Sequence, residues 1–465
     1  MTTKTKIYRS LLVGTLPLAF FTAALAPANA EAQQRAVPSA RADVEPVRSA
    51  IELKERVGKA QRFVLDARAL RMARKGSRVR LDLTPERALE MTTIRKARLA
   101  GGRELVEGHI EGGGLPDGSA TLVVNGNQVT GTIETPGGKT YRLRPVGGGR
   151  NEIELLDYKA MPKEHPPIEK VPAKVGGFQS QGPGGLPPAP PHPGNVQMGE
   201  GQQYVPTIDI IVGYSNGANL KVADMQGMID LAVAETNSSF AASGINGRVH
   251  LLDIVPMPNF DDSRTYGQMV DALQTDTVLD ARREALGADM VVMIVDNTAW
   301  CGMAPTTGAA DNEYAVLVHW DCATGYYSFA HEIGHVVGAD HDTDQGTNDF
   351  LSYGHALLNK RPDSPGLGWR TIMGYECDDG SCDQRIRRWS NPNEEIFDLA
   401  LGTQTENNAR VWNERIGDVA AFRKRNATPQ PSPKAPGEVV ARGTDASPPA
   451  RTSRPARRLP VRSSR

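Results

Sequence analysis

Cysteine is scarce and one-sided in this chain of 465 residues: there are four, and none precedes Cys301. Thiol chemistry and disulfide cross-links are therefore excluded from everything before it. Histidine is nearly as rare, with nine residues. Neither sign of charge dominates, with 53 Lys and Arg against 54 Asp and Glu, so a formal net charge of −1 gives no global drive toward nucleic acid. After the first thirty residues no run is apolar enough to cross a bilayer, which excludes an integral membrane segment once that leader is removed. Glycine (47) and proline (33) are plentiful instead, and at this length the chain should divide into two or three segments.

Residues 1–30 place Lys4, Lys6 and Arg9 before the apolar run "LLVGTLPLAFFTAALA" and the small residues "PANA". This is the order of a signal peptide; the alternative, an uncleaved anchor, is disfavoured by Gly14 and Pro17 within a short run. The chain is expected to be secreted, with the periplasm left open. An exported chain with an even number of cysteines usually pairs them. Of three pairings, proximity favours Cys377 with Cys382 across "CDDGSC", leaving Cys301 with Cys322; buried free thiols are the alternative.

Residues 31–175 are expected to be α+β. "VRSAIELKERVGKAQRFVLDARALRMARKG" spaces its apolar residues at near-helical intervals and predicts a helix with a solvated face. "SATLVVNGNQVTGTIETPGGKTYRLRPV" predicts a hairpin at Asn125-Gly126 extended into a meander. The glycine runs at 112–114 and 147–149 read as turns, since no helix start or Lys-Ser/Thr follows them as in a phosphate cradle. Residues 176–202 form a Pro/Gly-rich linker that cannot bury a core.

Residues 203–425 read as an α/β domain, with strands in "TIDIIVGYS", "VHLLDIVPM", "ADMVVMIVD" and "YAVLVHW" and helices near 224–243 and 264–286. A last helix should bury Ala409, Trp412, Ile416 and Val419. Residues 426–465 read as a disordered basic tail rich in Pro, Ser and Arg, with attachment to an anionic cell surface as the alternative.

Three of the nine histidines fall within "FAHEIGHVVGADHDTD", residues 329–344. His331 and His335 are four apart, so on a helix they share a face and can reach one ion. Glu332 beside them can serve as general base toward an attacking water. Gly338 can end the helix in a left-handed conformation, so that His341 returns as a third ligand and one coordination position stays open. His109, His165, His192, His250, His319 and His355 are scattered and are not assigned to a metal.

"HEIGHVVGADH" matches HExxHxxGxxH at every defined position, and "TIMGYE" supplies a methionine turn, so the chain resembles the metzincin metallopeptidases. The resemblance implies one catalytic Zn2+ and a metzincin-type catalytic domain: a twisted mixed sheet plus helices, with the cleft above an irregular C-terminal subdomain. It makes Met373 an apolar floor beneath the histidines. Tyr375 stands where astacin-like and serralysin-like members carry a tyrosine that binds zinc or stabilises the tetrahedral intermediate; a core tyrosine is the alternative. Asp342 is similar to the reprolysin branch and is expected to support the local turn. Nothing in the sequence speaks to calcium.

"CATGYYSFAHEIGH", and "WRTIMGYEC" followed by "WSNP", resemble the secreted bacterial peptidyl-Asp metalloendopeptidases over most of 203–425. This implies cleavage on the amino side of aspartate. Such a preference needs a cation for the residue after the scissile bond. Among Arg370, Arg385, Arg387 and Arg388 the first candidate is Arg385 and the second Arg370, against ordinary solvated positions for each. The family architecture would make "YAVLVHW" the sheet edge that binds extended protein or peptide substrates.

Residues 31–175 then read as a propeptide that inhibits its own enzyme, the product being a monomer. A silencing cysteine is excluded, which leaves Asp117, His109 or steric cover. The rivals to an Asp-preferring zinc endopeptidase are a broad-specificity protease and a non-catalytic peptide-binding module on the same scaffold.

Overall fold

The computed structural model describes residues 48–165 and 204–424, apart from 58, 116, 149, 346–349, 365–366 and 397. The expected leader, linker and basic tail lie outside these residues.

The N-terminal region is a closed barrel of nine strands: β1 (Arg48–Val57), β2 (Ala60–Leu65), β3 (Arg78–Thr84), β4 (Arg87–Arg98), β5 (Glu104–Ile110), β6 (Gly118–Asn125), β7 (Gln128–Glu134), β8 (Thr140–Pro145) and β9 (Asn151–Leu155). The order is β1-β2-β9-β8-β7-β6-β5-β4-β3, closed by parallel pairing of β1 with β3. Ile51, Phe63, Leu81, Met91, Leu122, Ile133 and Leu143 fill it. The expected hairpin is present, with Asn125 paired to Gln128 across Gly126 at φ 59°.

The helix expected in the first part of this region shrinks to six residues, the segment before it being strands, and α+β is corrected to a β-barrel with one short α-helix. Among the described residues of this region the one α-helix is α1 (Ala67–Met72), capped by the Asp66 side chain, which accepts from the Arg68 and Ala69 amides. In β2, Phe63 and Leu65 face the core while Val64 is exposed. That period of two, together with pairing to β1 and β9, overrides a weak helical spacing.

The C-terminal region is α/β. Its strands are β10 (Thr207–Ser215), β11 (Arg248–Met257), β12 (Met290–Val295), β13 (Gly302–Met303) and β14 (Ala315–His319), in the order β11-β10-β12-β14-β13. The first four are parallel and β13 is antiparallel to β14. β12 is buried throughout, as a central strand covered on both faces must be. Helices α2 (Asn216–Lys221) and α3 (Met225–Ala241) precede β11, and α4 (Tyr266–Gln274) and α5 (Thr277–Leu286) precede β12. α6 (Ser328–Val337) follows β14 and shares the core of α3, while α4 and α5 cover the opposite face.

The "YAVLVHW" strand is β14, and β13 covers it: Gly302 pairs with Val318 and Met303 with Leu317. The edge of the sheet is therefore β13. A two-residue strand leaves too little alternation to be read from sequence.

Beyond α6 the strands among the described residues are short, β15 (Leu358–Asn359), β16 (Trp369–Arg370), β17 (Gln384–Arg385), β18 (Asn391–Ile396) and β19 (Leu399–Leu401), and α7 (Asn408–Val419) follows them. Ala409, Trp412, Ile416 and Val419 are all buried, and the Trp412 ring lies 4.5 Å from Phe240 and 5.0 Å from Trp389. Disulfides join Cys301 to Cys322 and Cys377 to Cys382.

The barrel docks on α3 and on the segment after β17. Leu105 and Val123 share an apolar cluster with Leu231 and Ala234, Arg103 Nε bonds Asp230, and Arg387 Nη2 lies 2.8 Å from Glu134 Oε2. Among the described residues no helix is long and apolar enough to cross a membrane.

Candidate active site

Gly338, at φ 116°, ends α6: its amide bonds the carbonyls of Gly334 and His335, and the Ala339 amide returns to Gly334. A side chain there would strain the backbone and meet the Phe350 ring at 2.8 Å. The turn brings His341 back over the helix. The Nε2 atoms of His331 and His335 lie 3.2 Å apart, those of His335 and His341 2.9 Å, and those of His331 and His341 3.2 Å.

His331 Nδ1 donates to the Ile372 carbonyl at 3.0 Å, and His335 Nδ1 to the Ala339 carbonyl at 3.1 Å. Their protons are thus fixed on Nδ1, leaving the Nε2 lone pairs facing one another. Burial is the first cause that pushes all three histidines well below the ordinary imidazole range, so they are neutral. Three converging lone pairs repel unless a cation sits among them. A tetrahedral zinc with nitrogen ligands about 2.0–2.1 Å away separates those nitrogens by about 3.3 Å, so the donor set fits the ion.

The methionine turn acts on this site through its backbone and its sulfur. Ile372, which orients His331, directly precedes Met373, which is fully buried. A Cβ on Gly334, between the two helical histidines, would lie 3.1 Å from Met373 Sδ and 2.8 Å from Trp389. Asp342 Oδ2 accepts the Tyr375 amide at 2.8 Å, tying the third histidine's segment to the same turn.

Glu332 is 1% exposed, and burial first, then the Glu164 carboxylate, pushes its carboxyl well above the usual range. The Ala304 amide bonds it, and a Cβ on Gly302 would sit 2.3 Å from its Oε1. Only glycine lets the edge strand approach the carboxylate this closely. The Tyr375 ring is 4.2 Å from His341, and its buried hydroxyl has no hydrogen-bond partner among the described residues. Burial raises its pKa, keeping it a neutral donor.

The arginines are not at solvated positions. Arg370, Arg385 and Arg387 are buried and Arg388 is half-buried. Arg370 directs Nη1 to the carbonyls of Cys382 and Asp383 and Nη2 to the Tyr326 hydroxyl, which braces the disulfide loop. Arg387 is held by Ser119, Thr121 and Glu134 of the barrel. Arg385 alone among them meets a carboxylate beside the histidines, that of Glu164; its remaining bonds go to the carbonyls of Tyr326 (3.0 Å) and Gly374 (3.2 Å).

Glu164 is the site residue the sequence did not single out. Its Oε2 lies 4.0 Å from His331 Nε2. Asp117 and His109, the latency candidates, instead pair with each other at 3.6 Å on the barrel, the first exposed and the second half-buried. No local pattern marks Glu164, because its partners lie far along the chain.

The family model described as Reprolysin_5, metallo-peptidase family M12, matches residues 207–390. A peptidyl-Asp metalloendopeptidase of Xanthomonas campestris pv. campestris is 32% identical over 405 residues, covering 83% of this chain and 91% of that protein. One from Stenotrophomonas maltophilia strain K279a is 34% identical over 317 residues, covering 66% of this chain and 71% of its own. A third, from Pseudomonas fragi, is 46% identical over 104 residues, 22% of this chain and 63% of that protein. With a similarity that runs nearly end to end through the first of these relatives, the chain is a zinc metalloendopeptidase and belongs to the metzincin family that includes the peptidyl-Asp metalloendopeptidases.

Proposed function

We propose that this metalloendopeptidase is exported and cuts on the amino side of aspartate, with His331, His335 and His341 as its zinc ligands. The observation that carries the ligand assignment is the convergence of three neutral imidazoles, two with Nδ1 protons tied to carbonyls. Export is supported by the signal-like leader and the two disulfides.

Bound zinc would polarise the scissile carbonyl and lower the pKa of a water at the site. Glu332, held by the Ala304 amide, takes that water's proton and delivers it to the leaving amine. The Tyr375 hydroxyl, buried and unpaired, donates to the oxyanion as it forms. β13 offers its backbone to an extended substrate.

The aspartate preference draws on the names of the relatives and on Arg385, a buried guanidinium beside the metal-binding histidines that already grips a carboxylate. Arg370 serves the disulfide loop. Residues 31–175 are the removable propeptide and 203–425 the catalytic domain. A broad-specificity protease is the competing reading, since Arg385 also bonds two backbone carbonyls. Two peptides differing only in Asp or Asn after the cleaved bond separate the two: a kcat/KM ratio of about 100 or more supports the first, and equal rates the second.

A further inference from the structure

The stretch leading to Glu164 lies in the catalytic cleft. Lys163 accepts the Cys301 amide through its carbonyl at 2.9 Å, next to edge strand β13. Met161 packs on the cluster of Cys301, Cys322 and Tyr326. The Tyr158 hydroxyl donates to the Arg385 carbonyl at 3.1 Å, and Lys159 Nζ is 3.0 Å from Asp383. These contacts deliver Glu164, 6% exposed, among the histidines.

Its two oxygens have different surroundings. Oε1 accepts from Arg385 Nη1 and, at 3.1 Å, from Ser328 Oγ. Oε2 is buried with no hydrogen-bond partner among the described residues, and it faces His331 Nε2 at 4.0 Å. Glu164, His331 and Glu332 bring their ligand atoms within 4.8 Å of one another. A buried carboxylate oxygen left unpaired is costly, and so are three facing imidazole lone pairs; a single cation between them relieves both. Glu332 is restrained on the other side by Ala304, so Glu164 is the carboxylate free to complete the set.

We propose that Glu164 is the fourth zinc ligand of the uncleaved chain, and that its other oxygen simultaneously holds Arg385. One propeptide carboxylate then closes the open metal position and covers the cation assigned to aspartate recognition. This rests on the three-histidine zinc site and on the role of Arg385 proposed above. It also explains how a chain with no cysteine before Cys301 is kept latent: Glu164 stands where a substrate's acidic side chain and the attacking water would be, and it leaves with the propeptide.

The test uses the full uncleaved chain loaded with one Co2+, with azide as the probe for an open coordination position. The wild-type visible spectrum should not change with azide. Glu164→Gln should bind azide at least about tenfold more tightly and release zinc to a chelator about tenfold faster, with no proteolysis needed for either readout. Glu164→Asp keeps the charge opposite Arg385 but is one methylene too short for both contacts; it takes the place of Glu164→Gln if that variant does not melt cooperatively, with the same expectation. A wild-type chain that binds cobalt and responds to azide as the variants do overturns this inference alone. A wild-type chain that takes up no cobalt overturns the three-histidine site itself.

Discussion

Glu332 and Gly302 meet so closely that a Cβ on the glycine would lie 2.3 Å from Glu332 Oε1. The edge strand β13 and the α6 residue proposed as the base, Glu332, are thus packed tightly against one another. The strand proposed to seat the substrate therefore packs directly on the carboxylate proposed to act on it.

Removing the carboxylate and displacing it should therefore look alike in kinetics. Glu332→Gln should lower kcat by about 10²–10⁴ while leaving metal content at one ion per chain. Gly302→Ala should lower kcat/KM by at least about tenfold with an unchanged metal content, because it pushes the carboxylate and leaves the histidines alone. Metal analysis and peptide hydrolysis on the same samples check both.

Gly334→Ala tests the packing beneath the metal. Its new methyl meets Trp389 and Met373, neither of which is at the surface. Overpacking of this kind costs about 1–3 kcal/mol. A thermal melt should show the loss, and zinc affinity should fall with it, since His331 and His335 flank the shifted position.

For Arg385 the expected effect is on selectivity. Arg385→Met in the processed enzyme should reduce kcat/KM for an Asp peptide by about 100-fold and leave an Asn peptide within a few-fold. Arg370→Met should instead lower thermal stability and leave the Asp-to-Asn ratio intact, because its bonds go to Cys382, Asp383 and Tyr326.

The clustering of the three histidines was legible because its information is local: spacing on one helix places His331, Glu332 and His335 together, and Gly338 announces the return of His341. The parallel strands were legible as β-branched and apolar runs. What could not be read depended on distant pairing. The region before Asp66 carries enough helical spacing to mislead, and only its partners in the barrel make it β. Glu164 meets Arg385 across 221 positions, and no window of sequence joins them. The burial of Arg370, Arg385 and Arg387 follows from carbonyls and carboxylates supplied by other segments, whereas a run of arginines read alone suggests a solvated face.

The Glu235 carboxyl should contribute more to the stability of the uncleaved fold in acid than at neutral pH. Glu235 is buried against Gly325 and the barrel's Thr132, and burial raises its carboxyl from 4.5 to about 7. Between those values the folded chain holds a proton on Glu235 that the unfolded chain has released, so this group's contribution to stability falls as pH rises, by up to about 1.4 kcal/mol per unit. Asp289, also raised to about 7 by burial, acts in the same direction. Measured against Glu235→Gln, the wild-type chain should lose relative stability from pH 5 to pH 7.5, so the gap between the two melting profiles shrinks or reverses as pH rises. A profile unchanged by the substitution would remove Glu235 from this account.

The most direct measurement is the mass-spectrometric mapping of every new N-terminus that the processed enzyme creates in one unfolded protein of known sequence, with zinc measured on the same sample. The account predicts one zinc per chain, new N-termini that begin with aspartate, and cleavage that stops with a chelator and returns with added zinc. New N-termini spread evenly over residue types would contradict the specificity, and cleavage that persists with all metal removed would contradict the mechanism.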